Sequence, residues 1–231
     1  MASKYFKTVA FLLLKLFDIQ QQEWSQWKEK ERNENEMEQS PALQSHRVIS
    51  GWYWQIVNEN KITKIFSSET EVLFSSERLV LFLPPFPSQQ REFVPVMTLS
   101  YKPSDEPSNE CIKIRVGMYR LENGEPCGFA FRLESPTSIC KEENRERNGI
   151  GIHDFYHVQF MKNFENYAPV LHSPDWLPEY QPAICVRANN PVEAILGLVL
   201  SLYGLDYFKQ FLKQVKSNVR DSDIPLLRDF A

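Results

Sequence analysis

The chain of 231 residues concentrates its chemistry-bearing side chains in one segment, His153-Asp154-Phe155-Tyr156-His157. Alternating polar and apolar residues around it predict a β-strand from Ile150 to Met161. Because successive side chains of a strand point to opposite faces, we expect His153, His157 and Gln159 to share one face. Two imidazoles on one face could exchange protons with a substrate in general acid–base catalysis.

Two further predicted strands, Cys111 to Leu121 and Cys127 to Glu134, show the same alternation. If the three strands are neighbours, the polar face that carries the histidines and Gln159 also gathers Lys113, Arg115, Arg132 and Glu134. Such a cationic patch could bind nucleic acid locally and, with its imidazoles, cleave a phosphodiester without a metal ion. The alternative, which we favour, is the solvent-facing side of an antiparallel sheet, which needs no function.

The spacing of the two histidines resembles the zincin pattern His-Glu-x-x-His, but it does not predict a metal site. Four residues along a strand separate the rings by about 13 Å, whereas both ligands of a zinc ion must lie ~2 Å from it. The four cysteines are widely spaced, and the sequence has no glycine-rich loop of the phosphate-binding type. We therefore predict no metal, no cofactor and reduced, mostly buried thiols.

The charge balance limits the partners of the chain. Lys and Arg total 26 against 30 Asp and Glu, so nucleic acid could bind only through a local patch. The apolar run Val9 to Leu14 is far shorter than the roughly 20 residues of a membrane-spanning helix, and Lys15 follows it directly. The sequence favours a cytoplasmic protein that does not bind a membrane.

The overall pattern predicts a single α+β domain, with a mainly antiparallel sheet and helices from both ends of the chain packed on one face. The predicted regions are an amino-terminal helix (1–40), an antiparallel β region (41–161), a proline-rich crossing (162–190), carboxy-terminal helices (191–216) and a tail (217–231). Residues with high β-propensity predict further strands at His46–Val57, Lys61–Phe66, Arg78–Leu83 and Phe93–Tyr101.

Local signals predict three element boundaries. Asn190-Pro191-Val192-Glu193 is typical of a helix start, with Asn190 as the cap and Glu193 closing a capping box. Gly204 predicts the end of that helix. Glu122-Asn123-Gly124 predicts a tight turn between two strands, because Asn and Gly readily adopt positive φ.

Two indoles of the amino-terminal helix, Trp24 and Trp27, precede a polar stretch, Lys28 to Glu38, that we expect to project into solvent. Because Trp is enriched where protein interfaces concentrate their binding energy, these indoles predict contact with a partner protein. Packing onto the sheet of the same chain is the alternative. Trp52 and Trp54 are predicted to be core residues instead.

The order of elements in the carboxy-terminal half carries a resemblance. A strand ending in Arg132-Leu133-Glu134, the strand Gly151 to Phe160, a proline-rich crossing and a closing helix follow one another. This order resembles small uncharacterised bacterial proteins with a His-x-x-x-His strand, which are often encoded near toxin or antiviral genes. Gln159 stands where a third histidine is often found in them. The resemblance implies a bacterial protein and a setting in antiviral defence, and it assigns no catalytic residue.

These observations lead to two hypotheses of function. The favoured one is a non-enzymatic accessory or scaffold subunit of a larger bacterial complex, which docks through Trp24, Trp27 and the apolar tail. The alternative is a metal-independent nuclease or nucleotide-processing enzyme, in which His153 and His157 transfer protons. In that enzyme Arg115 and Arg132 would hold the developing negative charge.

Overall fold

A computed structural model describes residues 5–34, 41–53, 79–85, 93–102, 111–135, 156–161 and 184–216. These residues form α1 (Phe6–Glu34), α2 (Pro41–Tyr53), β1 (Leu79–Phe82), β2 (Val94–Lys102), β3 (Cys111–Glu122), β4 (Glu125–Glu134), β5 (His157–Met161), β6 (Ile184–Cys185) and α3 (Pro191–Val215). The six strands form one sheet in sequence order, and every neighbouring pair is antiparallel. The predicted α+β class is confirmed.

One side of the sheet, which we call the first face, is apolar and carries the main core. Alternation along β3 directs Ile112, Ile114 and Val116 to this face, and all three are fully buried. The apolar side of α1 packs here, and so does most of α3, whose residues Ala194, Ile195 and Leu196 are also fully buried. Helices from both ends of the chain therefore cover one face, as predicted.

The opposite side, which we call the second face, is partly covered by α2. The predicted strand from His46 is wrong over the described residues, because they form a helix that packs against β2 and β3. Ser45, His46 and Ile49 are buried whereas Arg47 and Val48 are exposed, which is helical spacing. The Leu121 backbone N–H donates to the Ser45 hydroxyl at 3.2 Å. Tertiary packing thus overrides the local β-propensity of this segment.

Several sequence predictions lie wholly or partly outside the described residues. The strand Lys61–Phe66 and the tail (217–231) lie outside entirely. The end of the His46–Val57 strand, the start of the Ile150 to Met161 strand and most of the proline-rich crossing also lie outside, and of the crossing the structure describes β6 and the residues that follow it. The Trp52 side chain and all of Trp54 also lie outside them. The predicted strands near residues 78–83 and 93–101 are confirmed as β1 and β2.

Positive φ angles mark two predicted boundaries. Asn123 and Gly124 have φ of 54° and 83° and join β3 to β4 by a two-residue turn, in which Glu122 pairs with Glu125. Gly204 has φ of 79° and interrupts α3, after which helical geometry resumes and continues to Val215. Gly204 thus ends the first helical segment, but the second follows directly, and the two form one kinked element.

The start of α3 is capped as predicted, with one difference. The Asn190 side-chain oxygen accepts from the backbone N–H groups of Val192 and Glu193, both at 3.0 Å. The Glu193 carboxylate accepts from the Asn189 backbone N–H at 2.6 Å instead of closing onto Asn190. The carboxylate of the first turn therefore holds the residue before the cap.

The segment that follows β1 is held by both long helices. The Trp24 indole N–H of α1 donates to the Leu83 carbonyl at 3.1 Å, and the Tyr203 hydroxyl of α3 donates to the Pro84 carbonyl at 2.7 Å. Both donors are buried, so these bonds are shielded from water. We call this arrangement the β1 clamp.

One half-buried and one buried ionisable group flank the β1 clamp. Partial burial raises the pKa of Glu23 to about 7, and the nearby Tyr207 hydroxyl offsets only part of this effect. Burial and the nearby charge of Lys28 lower the pKa of His46 to about 4. The His46 ring lies 4.1 Å from the Trp24 ring and 5.3 Å from the Phe82 ring, between centroids, so the imidazole is neutral in an aromatic environment.

The cysteines depart from the prediction of reduced, buried thiols. Cys111, at the start of β3, is disulfide-bonded. Cys127 is a partly buried free thiol, and Cys185 is an exposed one.

Among the described residues, α3 is long and apolar enough to cross a membrane by length and composition. However, 56% of its most apolar window is buried inside the structure, and a core helix passes the same test. We draw no membrane assignment from it.

Replacing Glu23 and His46 should change the pH dependence of stability in opposite directions. The Glu23 pKa is higher in the folded state than its ordinary 4.5, so its stabilisation is complete below pH 4.5 and is lost as the pH rises through about 7. The His46 pKa is lower in the folded state than its ordinary 6.5, so its stabilisation is complete above pH 6.5 and is lost as the pH falls through about 4.

Urea unfolding from pH 4.5 to 7.5 measures both effects. After allowance for partial exposure, the free energy of unfolding of wild type minus that of Glu23→Gln should fall by on the order of 2 kcal/mol over this range. Wild type minus His46→Gln should rise by an amount of the same order. Difference curves that do not vary with pH would contradict the assigned burial of these groups.

Loss of the Cys111 disulfide should destabilise the fold. We expect Cys111→Ser to lower the free energy of unfolding by about 2–4 kcal/mol, because a disulfide restricts the unfolded chain. Cys185→Ser is the matched control and should be neutral, since that thiol is exposed and free. If the two variants have equal stability without reductant, or if Cys111 is alkylated in unreduced protein, the disulfide does not form.

Candidate functional site

The polar part of the second face brings the predicted patch together. Strand register pairs Lys113 with Glu134 and Glu134 with His157, which makes one row across β3, β4 and β5. The next row pairs Arg115 with Arg132 and Arg132 with Gln159. We call these two rows of three the polar rows. The remaining patch residue, His153, lies outside the described residues.

Side chains of the polar rows contact one another. The Arg132 guanidinium donates to the Gln159 amide oxygen at 2.6 Å, and its Nε lies 3.6 Å from Glu134 Oε2. The same carboxylate oxygen lies 3.9 Å from His157 Nε2. Glu134 therefore lies between two nitrogen-bearing side chains, and its own side chain is only 15% exposed.

The chemistry open to the polar rows depends on how exposed their side chains are. His157 is 0% exposed, so its imidazole has no open path to a substrate. The Arg132 side chain keeps 31% exposure, and Lys113, Arg115 and Gln159 are partly buried. The polar rows are thus neither an open catalytic surface nor the fully solvated sheet face that the sequence favoured. Four of the six side chains, those of Arg132, Gln159, Glu134 and His157, form a half-buried polar network.

No group of three or more His, Cys, Asp or Glu side chains among the described residues could hold a metal ion. Glu134 and His157 are a pair of ligand types without a third. In this part of the chain the geometry therefore supplies no metal centre.

Trp24 and Trp27 are covered by the chain itself. Their exposed fractions are 2% and 8%, their ring centroids lie 5.1 Å apart, and Trp24 also packs against His46. The predicted contact of these indoles with a partner does not fit this placement, whereas packing within the chain does. In the polar stretch that follows them, Lys28, Glu29 and Lys30 are exposed, as expected.

An apolar groove lies elsewhere, between the β4–β6 part of the first face and α3. Its volume is about 430 Å³. The sheet side consists of Met118, Phe129, Phe131, Leu133, Val158, Phe160, Ile184 and Val186, and the helix side consists of Gly197, Leu198, Ser201 and Leu202. Phe129, Phe160 and Ile184 are 37%, 42% and 55% exposed, so apolar surface meets solvent here.

The helix side of the groove is open at Gly197 and Ser201, where the side chains are small. A Cβ atom placed on Gly197 would have no neighbouring atom within 4 Å, so close packing does not require a glycine there. Glycine inside a helix costs about 0.5–1 kcal/mol relative to alanine. Ser201, one turn later, turns its hydroxyl back to the Gly197 carbonyl at 2.7 Å and offers little to a ligand.

The sequence alone does not predict this groove. Alternation along Cys127 to Glu134 places Phe129 and Phe131 on the apolar side of β4, opposite Arg132, but it does not show where the covering helices end. A usable signal is one aromatic pair: Phe131 lies opposite Phe160 in the sheet register. Large apolar side chains on strands that the helices do not fully cover indicate a surface that needs burial by another segment.

Glu134→Gln tests whether the polar rows stabilise the fold. We expect a loss of about 1–3 kcal/mol in the free energy of unfolding, because the neighbouring Arg132 and His157 lose a half-buried negative charge. Glu122→Gln is the control, since its ion pair with Arg120 is far more exposed and should cost less than about 1 kcal/mol. Equal losses in thermal or urea unfolding would contradict the network.

No known family model, curated protein or solved structure matches this chain.

Proposed function

We propose that this protein is a non-enzymatic accessory subunit that binds an apolar segment of a partner protein in the groove between β4–β6 and α3. One observation carries the proposal. Of the five large hydrophobic residues exposed among the described residues, three line this groove: Phe129, Phe160 and Ile184. Clustered apolar exposure of this kind is typical of protein interaction sites.

The chemistry of the groove favours a polypeptide over a small polar substrate. Among the described residues that line it, all are apolar except Ser201, whose hydroxyl donates to the Gly197 carbonyl. Enzyme sites need a few polar groups aimed at the ligand to fix its orientation, and the described walls offer none. An amphipathic helix needs only an apolar channel for the side chains of one face, so we propose such a helix as the partner's contribution.

The alternative enzyme receives less support from the described residues. His157 is buried, and Arg132 is bonded to Gln159 and Glu134, so neither side chain is poised for an incoming phosphodiester. The bacterial complex and its setting in antiviral defence stay predictions from the resemblance. The cytoplasmic location also stays a prediction, and the Cys111 disulfide is more typical of an oxidising compartment.

Charge placed in the groove should abolish partner binding. We expect Ile184→Asp and Phe160→Asp each to reduce partner recovery at least tenfold, because binding would then bury an unpaired carboxylate, a cost of more than about 1.4 kcal/mol. Affinity purification of the tagged full chain from its native host, with quantitative mass spectrometry, measures the recovery.

Val48→Asp and Leu205→Asp are the matched controls, because these residues are similarly exposed but do not line the groove. Both controls should retain the partner. Recovery of the same proteins by wild type and by both groove variants would overturn the proposal.

A further inference from the structure

We propose that the carboxy-terminal segment of this chain, residues 217–231, occupies the apolar groove when no partner is bound. The inference rests on the proposed function of the same groove. It names an intramolecular competitor, so that a partner segment must displace the tail in order to bind.

The composition of the tail matches the groove. The tail lies outside the described residues, and its sequence carries four large apolar residues, Ile224, Leu226, Leu227 and Phe230, among charged ones. The described walls of the groove carry no charged side chain. Burying the apolar residues there would remove them from water together with Phe129, Phe160 and Ile184, while the charged residues of the tail remain at the rim.

The length of the chain permits this return. The last described element, α3, itself lines the groove at Gly197 to Leu202, and the tail follows its end. The helix from Ser201 to Lys216 advances by at most about 22 Å. Residues 217–223 span up to about 23 Å when extended, which is enough to bring Ile224 back to the level of Ser201.

The other two described helices, α1 and α2, pack elsewhere and do not cover the groove. α1 packs on the main core, with Leu12, Leu13 and Leu16 buried there. α2 packs against β2 and β3 on the second face. The groove lies beside the last described helix, and the apolar residues of the tail follow that helix after a short polar stretch, so the tail is the cover that this arrangement points to.

Photo-crosslinking in the full chain locates the tail directly. With p-benzoylphenylalanine in place of Leu227, we expect crosslinks to peptides that contain residues 158–160, 184–186 or 197–202 of the same molecule. The same label in place of Glu29, an exposed residue of α1, is the control and should not reach these peptides. Crosslinks from position 227 that map only elsewhere would overturn the inference.

Dye binding tests occupancy without a label. The double variant Leu226→Asp, Leu227→Asp should bind 8-anilinonaphthalene-1-sulfonate at least twofold more strongly than wild type, because the groove is uncovered. Adding Gly197→Leu, which fills open space in the groove, should return the signal to the wild-type level. The matched double variant Asp221→Asn, Asp223→Asn should behave as wild type. Unchanged dye binding in the Leu226, Leu227 variant would contradict occupancy by the tail.

The two proposals fail in different ways. If Ile184→Asp loses the partner but position 227 crosslinks elsewhere, the groove binds partners and the tail is not its cover. If position 227 crosslinks to the groove but Ile184→Asp retains the partner, the tail is the cover and the proposed function is wrong.

Discussion

The arrangement of the fold depends on two buried hydrogen bonds, those that the Leu83 and Pro84 carbonyls accept from Trp24 and Tyr203. Carbonyl groups that follow an edge strand have no partner in the sheet ladder beyond it, and leaving them buried and unpaired would cost more than the bonds themselves contribute. The β1 clamp satisfies them with one donor from each end of the chain. It thereby fixes where α1 and α3 lie across the first face.

The position of α3 in turn sets the boundary between core and groove. Its buried side, from Val192 to Val199, packs on the main core together with α1. Its small residues, Gly197 and Ser201, face the outer strands and leave them uncovered. The apolar groove is therefore a consequence of how the helices are anchored at the β1 edge, opposite the edge where β6 lies.

The sequence predicted the polar rows because the rule behind them is simple. Consecutive antiparallel strands with period-two alternation place their polar residues on one face, and the observed register places Arg115 beside Arg132 and Arg132 beside Gln159. It did not predict the burial of His157, which depends on what covers the second face. The segment from Pro41 was misjudged for the same reason: its Val, Ile and aromatic residues suit a strand, and only packing against β2 and β3 selects the helix. Alternation along the chain predicts local geometry and which face of a strand is polar. Whether that face is buried depends on packing between elements that are distant in sequence.

The sequence-ordered sheet has a consequence for how the chain assembles. Every strand pairs with its neighbour in sequence, so the sheet can grow by successive hairpins with little loop-closure cost at the tight Asn123-Gly124 turn. The contact between α1 and α3 instead joins the two ends of the described chain and has the largest sequence separation. We therefore expect β3 and β4 to pair early and the terminal helices to dock late. Contacts between the terminal helices, more than the β3–β4 hairpin, would then determine the rate of unfolding.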